Sequence, residues 1–139
     1  TQQWEELVKL DLQLVERLED SNDKYDKLIE VADVYLQQLQ DIESGLEIYG
    51  RALRERPGDE LSLSKIDELS EVLQDWSKAV VYYKNAVEAS DDDLVKQNLM
   101  LLKARCYDSK LEDFENAERC YLAVLKFDHL KTEHLSTPD

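Results

Sequence analysis

Residues 42–57 read IESGLEIYGRALRERP, and 72 positions further on residues 114–129 read FENAERCYLAVLKFDH. Ile42 falls on Phe114, the small Gly45 on the small Ala117, Tyr49 on Tyr121 and Leu53 on Leu125, with Asp41 and Asp113 each standing just ahead. Working outward from this stretch, the same offset needs no gap. It places Trp4 on Trp76, Val8 on Val80, Ile29 on Leu101, Ala32 on Ala104 and Tyr35 on Tyr107. A fixed internal period implies an array of similar units, each burying an apolar face on its neighbour. Within each copy the apolar residues recur at intervals of three and four, the period of an α-helix.

Composition supports helix almost throughout. Three glycines and two prolines punctuate 139 residues, 35% of the residues are charged, and Leu, Glu, Asp, Lys, Gln and Ala dominate. Period-two alternation and hairpin dipeptides, which a β-architecture needs, do not occur. Asp20-Ser21-Asn22-Asp23, Leu39-Gln40-Asp41, Pro57-Gly58-Asp59, Gln74-Asp75, Ser90 to Asp93 and Ser109 to Asp113 break the pattern. The helices between them are expected at about 2–19, 23–38, 41–56, 59–73, 75–89, 93–109 and 112–127, with Asp41 placed to cap the third. Links of a few residues make consecutive helices antiparallel.

The net charge of −15 opposes a phosphate backbone or an anionic membrane and favours basic partners. No apolar run approaches the ~18 residues of a membrane span. Nucleic acid and membrane are therefore not the expected partners. Cys106 and Cys120 make no disulfide framework and no C-x-x-C; both are expected as buried free thiols in a reducing, cytoplasm-like compartment.

The chain resembles the tetratricopeptide repeat family, whose unit is an antiparallel helix pair of about 34 residues. The family's second-helix pattern reads here Ile42, Gly45, Tyr49, Ala52, Pro57; then Trp76, Ala79, Tyr83, Ala86, Asp91; then Phe114, Ala117, Tyr121, Val124, His129. Ala32 with Tyr35 and Ala104 with Tyr107 match first-helix positions, while Ile66 and Leu69 depart from them. The units are about one residue longer at the internal turn than the family consensus. Residues 2–19 fit an orphan second helix through Trp4, Leu7, Asp11 and Leu14. The resemblance implies an all-α fold, a right-handed superhelix of antiparallel helix pairs with about seven helices. Its expected domain is 1–128, with pairs 23–56, 59–89 and 93–127, and 129–139 as a flexible tail or the start of a further helix. A coiled coil or plain helical bundle is the competing reading of the same periodicity.

Family members line a concave, peptide-holding face with the first helix of each pair. Carried over position by position, this implies Asp26, Ile29, Asp33, Leu36 and Gln37; Glu60, Leu63, Asp67, Ser70 and Glu71; and Asn98, Leu101, Arg105 and Asp108. Asp26, Ile29, Asp33, Glu60, Leu63, Asp67, Glu71, Leu101 and Arg105 are the candidate partner-binding residues. Carboxylates seven residues apart on one helix project from one side. The expected partner is a protein or peptide segment, basic and partly apolar; the same carboxylates would equally serve as an ordinary solvated helix face. The family's carboxylate-gripping groove, which uses Lys, Asn and Arg, is not matched, because acids occupy those places here.

No catalytic, cofactor or metal constellation is legible. His129 and His134 are five apart rather than four, and Asp91-Asp92-Asp93 lacks the glycine and ligand spacing of a calcium loop, so helix capping is its expected role. Three scattered glycines build no phosphate loop. Tyr82-Tyr83 is expected in the core. The chain therefore reads as a noncatalytic binding scaffold. The alternative is a structural spacer in a longer array, self-associating through uncapped terminal helices.

Overall fold

The computed structural model describes residues 2–136, with side chains through Leu130. Among these residues there are seven helices and no strand: α1 (Gln2–Arg17), α2 (Ser21–Asp33), α3 (Ile42–Glu55), α4 (Glu60–Leu73), α5 (Ser77–Ala89), α6 (Asp93–Arg105) and α7 (Phe114–Ser136). The chain forms two compact units, Thr1–Asp75 and Trp76–Asp139, so the division falls inside the expected helix pair 59–89. Within each unit every helix packs on its neighbour in sequence: α1 on α2, α2 on α3 and α3 on α4; then α5 on α6 and α6 on α7.

Aspartates start five of the seven helices. The Asp20 carboxylate accepts from the Asn22 and Asp23 amides at 2.8 and 3.2 Å. Asp41 accepts from Ser44 N at 3.1 Å, Asp59 from Ser62 N at 3.1 Å, and Asp113 from Asn116 N at 3.2 Å. Asp92, the middle residue of the acidic turn, accepts from Leu94 N and Val95 N at 2.9 and 3.3 Å. Each satisfies backbone donors that a helix start leaves unpaired, contributing roughly 1 kcal/mol. Five acids are thereby tied to helix starts.

The turn that runs one residue long has a specific form. α2 closes in a π-helical segment, Val34–Gln38, and α6 closes in another, Cys106–Lys110. Leu39 N donates to Val34 O and Leu111 N to Cys106 O, both at 3.0 Å; Asp41 N donates to Tyr35 O and Asp113 N to Tyr107 O, both at 2.8 Å. Gln40 and Glu112 then take left-handed backbone, with φ of 52° and 51°. The widened turn absorbs the extra residue while keeping the helix entering on register. α4 ends differently. Gln74 is also left-handed, but Gln74 N donates to Glu71 O and Asp75 N to Ser70 O, both at 3.1 Å, an ordinary Schellman closure without a π segment.

The first unit buries Tyr25, Leu28, Val31 and Ala32 of α2, Leu46, Ile48, Tyr49, Ala52 and Leu53 of α3, and Ile66 and Leu69 of α4. The second buries Trp76, Ala79, Val80, Tyr83 and Ala86, then Leu99, Ala104, Cys106 and Ala117. Tyr83 is thus in the core as expected, whereas Tyr82 is half-buried. One boundary moves substantially. α7 passes the expected stop at 127 and runs to Ser136, because no Gly or Pro stands between Asp113 and Thr137. Residues 129–136, expected as flexible tail, are helical, and 137–139 lie outside the described residues.

Candidate functional site

α2 and α4 both pack on α3, and each turns its apolar stripe inward. The side left outward carries the first unit's seven candidates. Asp26, Asp33, Glu60, Asp67 and Glu71 are exposed, and Ile29 and Leu63 are half-buried between the acids of their own helices. Asp26, Asp33, Glu60 and Asp67 make no side-chain hydrogen bond or ion pair among the described residues. Glu71 differs, because Gln74 Nε2 donates to its Oε1 at 3.3 Å and to its carbonyl at 2.7 Å. Glu71 therefore belongs to the closure of α4 as much as to any partner surface. Lys27, one residue past Asp26, pairs with Glu30 at 2.9 Å and reaches Asp11 at 4.0 Å, which leaves Asp26 uncompensated.

A side-chain clamp that the sequence did not reveal ties the starts of these two helices together. Tyr25 Oη donates to Asp59 Oδ2 at 2.6 Å, and Ser62 Oγ donates to the same oxygen at 2.7 Å. The Arg56 guanidinium lies over the Tyr25 ring, 3.8 Å from its centroid, and donates to Asn22 Oδ1 at 3.1 Å. Burial, reinforced by the hydrogen bond to Asp59 and its charge, pushes the Tyr25 hydroxyl up to about 12, with Arg56 pulling it back. Tyr25 therefore stays a donor at neutral pH. The only available signal was the 34-residue interval between Tyr25 and Asp59, which matches one repeat but has no chemistry of its own.

Tyr49, buried on α3, reports the charge on both helices. Burial raises its hydroxyl to about 12, and the Asp33 carboxylate of α2 and the Glu68 carboxylate of α4 both add to the shift, as do Tyr25 and Asp59. Two further positions implied by the family pattern do not belong to an open face. Leu36 packs on α3: a Cβ added to Gly45 would lie 2.5 Å from Leu36 Cδ2 and 2.8 Å from its Cγ. Ser70 is fully buried, and its hydroxyl has no hydrogen-bond partner among the described residues. Repeat register puts both on the outer face, whereas the π segment of α2 and the close packing of α4 turn them inward.

The remaining candidates, Leu101 and Arg105, lie on α6 in the second unit, Leu101 half-buried and Arg105 exposed. By the 72-residue register, Asp26, Ile29 and Asp33 become Asn98, Leu101 and Arg105. The acidic character is lost there. Tyr121, the counterpart of Tyr49, donates to Asp108 Oδ2 at 3.3 Å. Burial and Asp108 raise its hydroxyl, while Arg105 lowers it.

Each unit also carries a cleft. In the first, Val15 and Glu16 of α1, Lys24 and Leu28 of α2, and Arg51, Arg54 and Glu55 of α3 line about 220 Å³, with Arg51 Nη2 donating to Glu16 Oε1 at 3.1 Å. In the second, Lys84, Val87 and Glu88 of α5, Met100 and Lys103 of α6, and Cys120 and Ala123 of α7 line about 260 Å³. Cys106 is buried as expected, but Cys120 is only half-buried and faces this cleft. No cluster of three or more His, Cys, Asp or Glu among the described residues could hold a metal, and no helix among them is long and apolar enough to cross a membrane. No family model, curated protein or solved structure matches the chain.

Proposed function

We propose that the chain is a noncatalytic protein-interaction scaffold of tetratricopeptide type that takes a basic, partly apolar segment of a partner across α2 and α4. The observation that carries this reading is the doubled pattern of uncompensated acids around an apolar residue: Asp26, Ile29 and Asp33 on one helix, Glu60, Leu63 and Asp67 on the other. While these carboxylates face water, an ion pair contributes only about 0–1 kcal/mol. A partner that excludes water over Ile29 and Leu63 raises each charge-assisted hydrogen bond toward about 1.5–3 kcal/mol. The Tyr25–Asp59 clamp supports the reading, because a surface pre-organised by partly buried bonds loses little entropy on docking. The two free thiols fit a reducing intracellular compartment.

The test compares the chain with its Asp33→Lys/Asp67→Lys variant by anisotropy of a labelled peptide alternating Lys and Leu, and by capture of proteins from lysate. Circular dichroism checks that both are equally helical. Loss of peptide binding by at least tenfold is the expected outcome, about 1.4 kcal/mol. Equal retention by a folded variant would sink the acidic face. A second reading, a spacer that self-associates, is favoured by exposed apolar residues on the outer helices: Trp4, Leu7, Leu10 and Leu14 on α1, and Phe114, Leu122, Leu125 and Leu130 on α7. It predicts a mass in sedimentation equilibrium that rises with concentration and falls on Leu7→Glu substitution.

A further inference from the structure

The two clefts occupy overlapping positions of the repeat. Val15 corresponds to Val87, Glu16 to Glu88, Leu28 to Met100 and Arg51 to Ala123, each pair 72 residues apart. What differs is the filling. In the first unit Arg51, paired to Glu16, bridges the cleft of about 220 Å³ between α1 and α3, and Val31 and Ile48 are core residues, 0% and 4% exposed. In the second unit the counterparts are Ala123, Lys103 and Cys120. Two large side chains have become small, and a fully buried valine has become a lysine. With Arg replaced by Ala and Ile by Cys, the cleft between α5 and α7 has largely apolar walls and about 260 Å³ against about 220 Å³ in the first unit, and α6 contributes Met100 and Lys103 to it.

Lysine at a core register is the informative exchange. Lys103 is half-buried and lines the cleft, with its stem at the position of a core valine. Lys84 stands where the first unit has Leu12, so both cations of the cleft are additions relative to the other copy. Neither lysine makes an ion pair among the described residues. Glu88, one turn beyond Lys84 on α5, is the only acid lining the cleft among the described residues, which sets two ammonium groups against one carboxylate there. The remaining walls, Val87, Met100, Ala123 and the Cys120 thiol, are apolar or nearly so.

We infer that this cleft is a binding site for a small carboxylic acid with a short apolar body, the carboxylate held by Lys103 and Lys84 and the hydrocarbon by Val87, Met100 and Ala123. The volume of about 260 Å³ is below the usual range for drug-sized ligands, about 300–1,000 Å³, which limits the body to a short chain or single ring. A phosphate is the poorer occupant, since a dianion costs more to remove from water into carbon-lined walls. The site uses none of the acidic candidates on α2 and α4, so it stands or falls apart from the proposed function.

The experiment titrates the 139-residue chain with octanoate, octanol and octylamine by isothermal calorimetry and by amide chemical shifts. Two variants borrow the first unit's own residues: Lys103→Val removes the charge, and Cys120→Ile refills the cleft. Saturable octanoate binding with shifts on α5, α6 and α7 is expected. Lys103→Val weakens it at least tenfold, Cys120→Ile abolishes it, and octanol binds the parent chain at least tenfold more weakly than octanoate. Circular dichroism confirms that each variant is folded, and if one is not, the comparison of head groups on the parent chain decides alone. Absence of saturable octanoate binding overturns the site. Equal binding of the three head groups, or preference for octylamine, overturns the role of the lysines and with it the assignment of a carboxylate ligand.

Discussion

Leu53 and Leu125 hold the same register of the repeat, 72 residues apart, yet Leu53 is 0% exposed and Leu125 is 64% exposed. The difference lies in the neighbours. α3 is sandwiched between α2 and α4, whereas α7 packs on α6 and no helix follows it among the described residues. Trp4 and Trp76 also differ, 37% against 8% exposed, although α1 and α5 each pack only on the helix that follows and its π segment, so this pair is not explained by a further layer. Periodicity thus specifies which side of a helix is apolar, and the presence of the next layer decides whether that side is buried. The comparison breaks most cleanly by truncation. Leu53→Ala is expected to destabilise the chain by about 2–5 kcal/mol, and Leu125→Ala by no more than about 0.5 kcal/mol. Urea unfolding of both variants checks this; similar losses would mean that Leu125 is covered in solution, as the self-associating reading requires.

A smaller effect is expected where the two copies approach at short range. Gly45 admits Leu36 so closely that an added Cβ would meet two of its carbons under 3.0 Å. In the second unit Ala117 stands at the glycine's register, and the leucine's place is taken by Asp108, which is exposed. The bulk has moved from one partner to the other. Gly45→Val should cost about 1–3 kcal/mol by overpacking, and Leu36→Ala in the same chain should recover most of it. Ala117→Val should cost less than Gly45→Val. The double-mutant cycle measures the Leu36–Gly45 coupling directly, and additive losses would show that the close contact is absent in solution.

Much of this architecture was legible in the sequence because it rests on spacing. Three-and-four apolar intervals, Pro57-Gly58 and the aspartates ahead of every helix but α1 located seven helices, with most ends within two residues. The exception is the end of α7, where the repeat pattern closes near 127 but no helix breaker stands before Thr137. The candidate face was legible only in outline. Repeat register placed Asp26, Asp33, Glu60 and Asp67 outward, but it could not anticipate the π segment that folds Leu36 inward or the packing that encloses Ser70. Nor could it anticipate that one pair of registers would be bridged by unlike chemistry. Tyr25 and Arg56 meet through a cation and a ring, while their counterparts Gln97 and Asp128 meet through a hydrogen bond of 3.1 Å. Such contacts depend on side-chain reach across helices, which no pattern along one helix contains.

The smallest expected effect tests the inversion of charge between the units. Asp33 and Arg105 share a register, as do Tyr49 and Tyr121, so equivalent positions of the sequence carry opposite signs. For Tyr49, burial and then Asp33 raise the hydroxyl from 10.0 to about 12; for Tyr121, burial and Asp108 raise it while Arg105 opposes. Asp33→Asn should therefore lower the Tyr49 value without returning it to 10.0, because burial remains the larger cause. Arg105→Gln should raise the Tyr121 value. Ring resonances followed through an alkaline titration separate the two, and shifts in the same direction would refute the inversion. The stability consequence has a definite sign. A tyrosine held above its unfolded value keeps its proton longer in the folded chain, so its contribution is complete below pH 10 and is lost as pH rises toward about 12. Asp33→Asn narrows that window for Tyr49 from above. It also removes one of the four uncompensated carboxylates offered to a basic partner, so the titration and the peptide-binding assay should lose amplitude together.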